Sequence, residues 1–273
     1  MTPVALENIE DTVCEVVRAT PVYDIHTHLY SVPFGDLLLW GIDELITYHY
    51  LIAEMFRQNP VPYDAFWNMS KAEQAECIWK HLFLEHSPVS ESCRGVLTCC
   101  KKLGIDTEKR DINEIRSYFS EQTPEQYVDT VFEKANVESV VMTNSPFDDQ
   151  ERPVWEKDVA RDKRFKAALR LDPLLLDWNV SCGRLQEWGY DVTPDFSQDT
   201  FSEIIRFLEY WAEHMKPLYM AVSLPPEFRF PDDTPCSAVL ENSILPFSRE
   251  HAIPFAMMIG VKKHVNPGLK LAG

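Results

Sequence analysis

Strand-like runs that alternate with helices over the second half of this chain constrain its fold more than any other feature. Short apolar, largely aliphatic runs occur at 138–143, 166–171, 218–224 and 254–260, with helical patterns at 150–160, 200–215 and 238–250. Strands that are apolar on both faces and joined through helices predict a parallel sheet covered on both sides. A fifth run at 21–26 lies far upstream. Between it and the second run, helical patterns at 41–58, 71–86, 90–103, 111–119 and 124–135 predict an insertion of helices, separated by Pro, Ser, Gly and Asp breaks. A further helix is expected at 7–19, ahead of the first strand. Asp43 is a plausible N-cap for the 41–58 helix.

Polar residues cluster where the strands end: His26 and His28, Asn144 and Ser145, Arg170 and Asp172, Ser223, Lys262 and Lys263. Such clustering is expected when a site is built at the carboxyl ends of barrel strands. The sharpest element is Asp24-Ile25-His26-Thr27-His28-Leu29. Side chains alternate along a strand, so His-x-His sends both imidazoles out of one face and supplies half of a divalent metal site, zinc above all. The competing reading is a pair of packed or capping histidines at a strand exit.

Arg170 shares a strand face with Ala168 and Asp172. Its guanidinium either grips an anion bidentately at the barrel mouth or pairs internally with a carboxylate. Asp172 could orient a ligand, act as a base, or simply precede Pro173 in a turn. His49 belongs to an apolar stripe with Leu45, Ile52 and Phe56, and Tyr50 falls beside Ile46 and Ala53, so packing competes with chemistry for both. His264 and Asn266, after the last strand, are weaker candidates, while His81, His86, His214 and His251 sit on helical patterns as packing or surface residues.

Composition narrows the partners. A net charge of −17 argues against nucleic acid and anionic membranes, though not against a small anion held in a local pocket. No apolar run is long enough for a membrane span, and the N-terminus lacks the blocks of a signal peptide. Seven cysteines without a Cys-x-x-Cys pair read as reduced thiols, making the cytoplasm the expected compartment. The sequence has no Gly-x-Ser-x-Gly, phosphate-binding glycine loop or His-Glu-x-x-His.

With these residues in view, the chain resembles the uronate (glucuronate) isomerases of the amidohydrolase superfamily. The resemblance rests on Asp24-Ile25-His26-Thr27-His28-Leu29, then Thr47-Tyr48-His49-Tyr50 and Met55-Phe56-Arg57. Arg94-Gly95-Val96-Leu97 and Leu103-Gly104-Ile105 are similar to the family's helical insertion. The resemblance implies an α/β chain with a (β/α)8 TIM barrel of amidohydrolase type. A single metal-dependent barrel domain is expected over 1–273, with a large helical insertion (about 41–135) after strand 1. Only five strands are legible and the chain closes on loop-like Lys270-Leu271-Ala272-Gly273, so a C-terminally incomplete barrel is expected.

The resemblance further implies aldose–ketose isomerisation of a hexuronate, D-glucuronate to D-fructuronate or D-galacturonate to D-tagaturonate, through a cis-enediol. It makes His26 and His28 ligands of a divalent metal, most naturally Zn2+. His49, Tyr50, Arg170 and Asp172 become catalytic candidates, and His49, Tyr50, Arg170 and Lys263 contacts of the sugar acid. The family's third metal ligand, an aspartate after the eighth strand, has no counterpart here. Met258 stands where many members carry a histidine, and Lys263 stands near the position of an arginine. A homo-oligomer is compatible with this reading. The alternatives are a metal-dependent hydrolase or decarboxylase of the same superfamily, or a non-catalytic or truncated relative.

Overall fold

The computed structural model describes residues 5–58, 60–157, 161–197, 199–260, 262 and 265–272. Five strands form one sheet in sequence order: β1 (Val22–Thr27), β2 (Val137–Asn144), β3 (Phe165–Arg170), β4 (Tyr219–Leu224) and β5 (Phe255–Ile259). The β2–β3, β3–β4 and β4–β5 pairs are parallel, with Asn144 beside Leu169, Arg170 beside Ala221 and Ser223 beside Met258. Together the strands make a half-barrel. The sequence places all five strands within two residues of these bounds, because each run is apolar and closed by Gly, Pro or a polar residue.

The contacts divide the chain into two compact units, Met1–Tyr23 with Leu38–Glu138 and Lys263–Gly273, and Asp24–Leu37 with Ser139–Lys262. In the second unit the middle strands are buried, with Met142, Leu169 and Met220 almost without exposed surface. The helix Thr200–Met215 buries Ile204, Phe207, Leu208 and Trp211, one apolar stripe at helical spacing. Across the sheet, the Tyr219 hydroxyl of β4 donates to the Ile25 carbonyl of β1 at 2.7 Å. A side chain can bridge from the fourth strand to the first only if the sheet curls.

The first unit is helical among its described residues between β1 and β2. Its core gathers Ile42, Ile46, Met55, Phe66 and Ile78. The segment read as one helix over 41–58 is two, Ile42–Ile46 and His49–Phe56. Thr47 ends the first by folding its hydroxyl back onto the Asp43 carbonyl at 2.7 Å, and Tyr48 is extended at φ −63°, ψ 142°. Asp43 is therefore a first-turn residue rather than the N-cap, which is Gly41.

Short helices at Tyr63–Trp67, Asp172–Leu176 and Trp178–Glu187 add to those expected from sequence. Pro267–Ala272 forms 3-10 turns where a loop was expected. There Trp67 donates its indole N–H to the Gly268 carbonyl at 2.8 Å, and Asn266 bonds the Tyr63 hydroxyl rather than reaching a pocket. None of the described helices is long and apolar enough to cross a membrane, and all seven cysteines are free thiols.

Candidate active site

His26 near the end of β1 and His28 just after it stand side by side at the strand's carboxyl end. Their rings meet edge to face with centroids 5.6 Å apart, and both side chains are exposed. Asp24 caps the turn by accepting the His26 backbone N–H at 3.1 Å. Two imidazoles this close suit a shared cation, zinc in preference to magnesium or calcium given nitrogen ligands. Among the described residues no group of three or more His, Cys, Asp or Glu assembles as a metal centre. The pair could therefore supply at most two ligands of such a site.

At the end of β3, Arg170 and Asp172 form the pair that the sequence left open. Nε donates to Oδ2 at 2.8 Å and Nη2 to Oδ1 at 2.6 Å. Ser223 on β4 closes the group: its hydroxyl accepts from Nη2 at 3.0 Å, and its backbone N–H donates to Asp172 Oδ1 at 3.1 Å. Burial works against the Arg170 charge. Asp172 more than offsets it, with Tyr30 and Glu151 assisting, so the guanidinium is held above its ordinary value. The bidentate face of Arg170 is therefore occupied from within the protein. Among the described residues no hydrogen-bond partner is found for Nη1. Asp172, engaged by three donors, is a holder of Arg170 rather than a free base.

Beside this group lies a network that sequence reasoning missed. Glu151, 5% exposed, accepts from Asn144 Nδ2 at 2.7 Å and from the Ser145 backbone N–H at 2.9 Å. Its other oxygen lies 3.0 Å from the Tyr30 hydroxyl, which is also 3.1 Å from the Thr143 carbonyl. Burial pushes the Glu151 carboxyl above its usual range, against the pull of these donors. Burial, and then the Glu151 charge, push the Tyr30 phenol up as well.

His49 and Tyr50 belong to the helical unit, at the start of the helix His49–Phe56 instead of the middle of a longer one. Tyr50 is 62% exposed, so the packing reading fails for it. His49 is half-buried, flanked by Tyr48 and Tyr50 at ring distances of 4.1 and 4.2 Å, and burial lowers its pKa below the ordinary imidazole value. Lys263 and His264 lie outside the described residues. Met258 is half-buried beside Ser223 in the β4–β5 register. His81, His214 and His251 pair locally, with Glu85, Tyr210 and Phe247 respectively.

Over its full length the chain superposes on a uronate isomerase from Bacillus halodurans C-125 with a TM-score of 0.96 and 51% sequence identity. What the chain resembles, over its whole length, is a uronate isomerase. It spans 64% of the length of that relative. A glucuronate isomerase from Caulobacter crescentus matches 92% of the chain and is covered over 60% of its own length, with a TM-score of 0.64 at 16% identity. A uronate isomerase from Thermotoga maritima also matches 92%, is covered over 62%, and gives 0.65 at 15%. At those identities the two share the fold alone. No protein-family model and no curated protein matches the chain.

Proposed function

We propose that the protein is an aldose–ketose isomerase of a hexuronate, interconverting D-glucuronate and D-fructuronate or D-galacturonate and D-tagaturonate. The observation that carries this reading is the 51% identity to a uronate isomerase, sustained over the whole of the chain. The five strands are proposed as the first five of an eight-stranded barrel of amidohydrolase type, incomplete at its C-terminal side in this chain. Exposed apolar residues on both edge strands, Ile25 at 70% and Ile259 at 54%, support further strands beside them. Free thiols support the cytoplasm as its compartment.

The reaction moves a proton between C2 and C1 of the sugar acid and another between the two oxygens, through a cis-enediol. His49, kept neutral by burial, is suited to accept a proton at neutral pH. Tyr50 offers an exposed hydroxyl from the adjacent position as the second proton carrier. Arg170 presents Nη1 to one oxygen of the sugar acid, while Asp172 and Ser223 fix the guanidinium plane. Lys263 is assigned to the same substrate.

His26 and His28 are the residues that would hold a divalent cation, zinc by ligand type. Such an ion supplies a Lewis acid for the carbonyl and lowers the pKa of a hydroxyl it touches. The test follows D-glucuronate and D-galacturonate by proton NMR in D2O with the zinc-loaded protein. Appearance of the ketouronate, with deuterium entering at the exchanging carbon, is the expected result. Bound zinc without conversion of either sugar overturns the reading.

A further inference from the structure

The half-barrel carries one buried carboxylate for which the isomerase reading has no use. Glu151 sits in the loop after β2, in a run of Asp148-Asp149-Gln150-Glu151 that looks like solvated surface. Asp149 and Gln150 stay exposed and Asp148 is half-buried, while Glu151 turns inward. A charge this deep is costly unless every lone pair is used. Here one carboxylate oxygen takes two donors from the exit of β2, and the other meets a phenol from the exit of β1. Tyr30, which brings that phenol, follows His28 by two residues.

An aromatic brace runs parallel to these bonds. Tyr30 packs edge-on against Phe34 at 5.4 Å, and Phe34 against Trp155 at 5.6 Å. Trp155 belongs to the short helix Arg152–Glu156 that starts directly after Glu151. Polar and apolar contacts therefore form a closed loop from Tyr30 through Phe34, Trp155 and Glu151 back to Tyr30. A closed loop resists shear in a way that a single hydrogen bond does not. The same carboxylate turns the Asn144 amide so that its Oδ1 is buried with no donor among the described residues. The same Tyr30 hydroxyl lies 3.1 Å from the carbonyl of Thr143, the residue before Asn144, so the two acceptors share one proton.

We propose that Glu151 is a positioning residue for the sugar-acid site: through Tyr30 it fixes the His26–His28 exit, and through Asn144 and Ser145 the exit of β2. The role rests on the isomerase reading for its chemistry, but the mechanical coupling stands without it. Partners that orient ligand-bearing segments from outside the ligand set are worth about 10- to 100-fold in metal affinity elsewhere. A shift of reacting groups by about 1 Å is worth about 100-fold in rate. Glu151 touches no reacting atom, so its loss should act on rate and metal affinity more than on substrate affinity.

The experiment compares wild type with Glu151→Gln and Tyr30→Phe, neither of which opens a cavity. Hydrogen exchange on the metal-free proteins reads the coupling without any need for activity. Both variants should exchange faster, by about tenfold, in 24–31 and 141–147, with 219–224 unchanged, as local opening without global unfolding requires. In the zinc-loaded proteins kcat should fall about tenfold with KM within about twofold, as for lost positioning. Zinc competition with a fluorescent chelator should show about tenfold weaker binding.

Unchanged exchange at both exits overturns the proposal, as does a rise spread evenly through the sheet. Local opening with kcat and zinc affinity intact also overturns it, leaving Glu151 a purely structural group. A wild type that turns over neither sugar overturns the isomerase reading instead. Exchange and zinc affinity then still decide the coupling.

Discussion

Arg170 and Asp172, two residues apart, bind each other as a fork and a carboxylate, with Nε–Oδ2 at 2.8 Å and Nη2–Oδ1 at 2.6 Å. Both are mostly buried, so removing one partner leaves the other desolvated and uncompensated. Asp172→Asn keeps the shape and removes the charge. It should cost about 1–3 kcal/mol of stability, the price of an imperfectly paired buried group, read as a lower urea midpoint. If the proposed hexuronate is the substrate, its KM should rise as the guanidinium loses its fixed plane.

His26→Ala removes one of two imidazoles from the strand exit. Zinc binding by dialysis and metal analysis, and turnover by NMR, should disappear together. Retention of turnover with a single histidine would separate the metal from the reaction.

Burial holds His49 below its ordinary pKa of 6.5. In its proposed role as base the residue must be neutral, so the acid limb of kcat/KM should lie below that value. The stability effect follows from proton counting. Between the folded and unfolded pKa values the unfolded chain holds more protons, so stability falls as pH drops below 6.5 toward the folded value. His49→Gln should flatten that part of the profile of urea midpoint against pH.

Trp188 lies between two guanidinium groups, Arg152 at 3.7 Å and Arg184 at 4.9 Å from its ring. Arg152 pairs through Nε with Glu156 at 2.9 Å, and its buried Nη1 has no hydrogen-bond partner among the described residues, so the indole face adds to the ion pair in compensating its charge. Trp188 is half-buried, so Trp188→Ala should destabilise by about 1–3 kcal/mol in denaturant titration, and Trp188→Phe by less.

Tyr219→Phe deletes only the bond to the Ile25 carbonyl. A loss of about 0.5–1.5 kcal/mol is expected, together with faster amide exchange along β1. An unchanged β1 would mean that the curl of the sheet is held elsewhere.

The strands were legible because parallel, doubly buried strands write themselves as apolar runs; β2 is buried at six of its eight positions. The His26–His28 pair was legible from period-two alternation, and the Arg170–Asp172 pair as one of two stated options. The break at Thr47-Tyr48 was not legible, since the apolar stripe continues in phase across it while a single hydroxyl ends the first helix. The helix Asp172–Leu176 carried a signal in Pro173 at its first turn, which a turn reading absorbed. Glu151 and Tyr219 gave no local sign. Their roles depend on partners about 120 and 190 residues distant, and burial of one acid within an acidic loop is a tertiary fact.

The two rims of the sheet, β1 and β5, present Val22, Ile25, Met257 and Ile259 to solvent along backbones with one strand neighbour each among the described residues. Such rims are templates for strand addition. Where no further strand covers these rims, the charge of −17 is what would hold copies of this span apart, over a screening distance of about 10 Å at 0.1 M salt. Dispersal of the span in dilute buffer and association in concentrated salt are then the expected behaviour, whereas rims covered by further strands would remove that dependence.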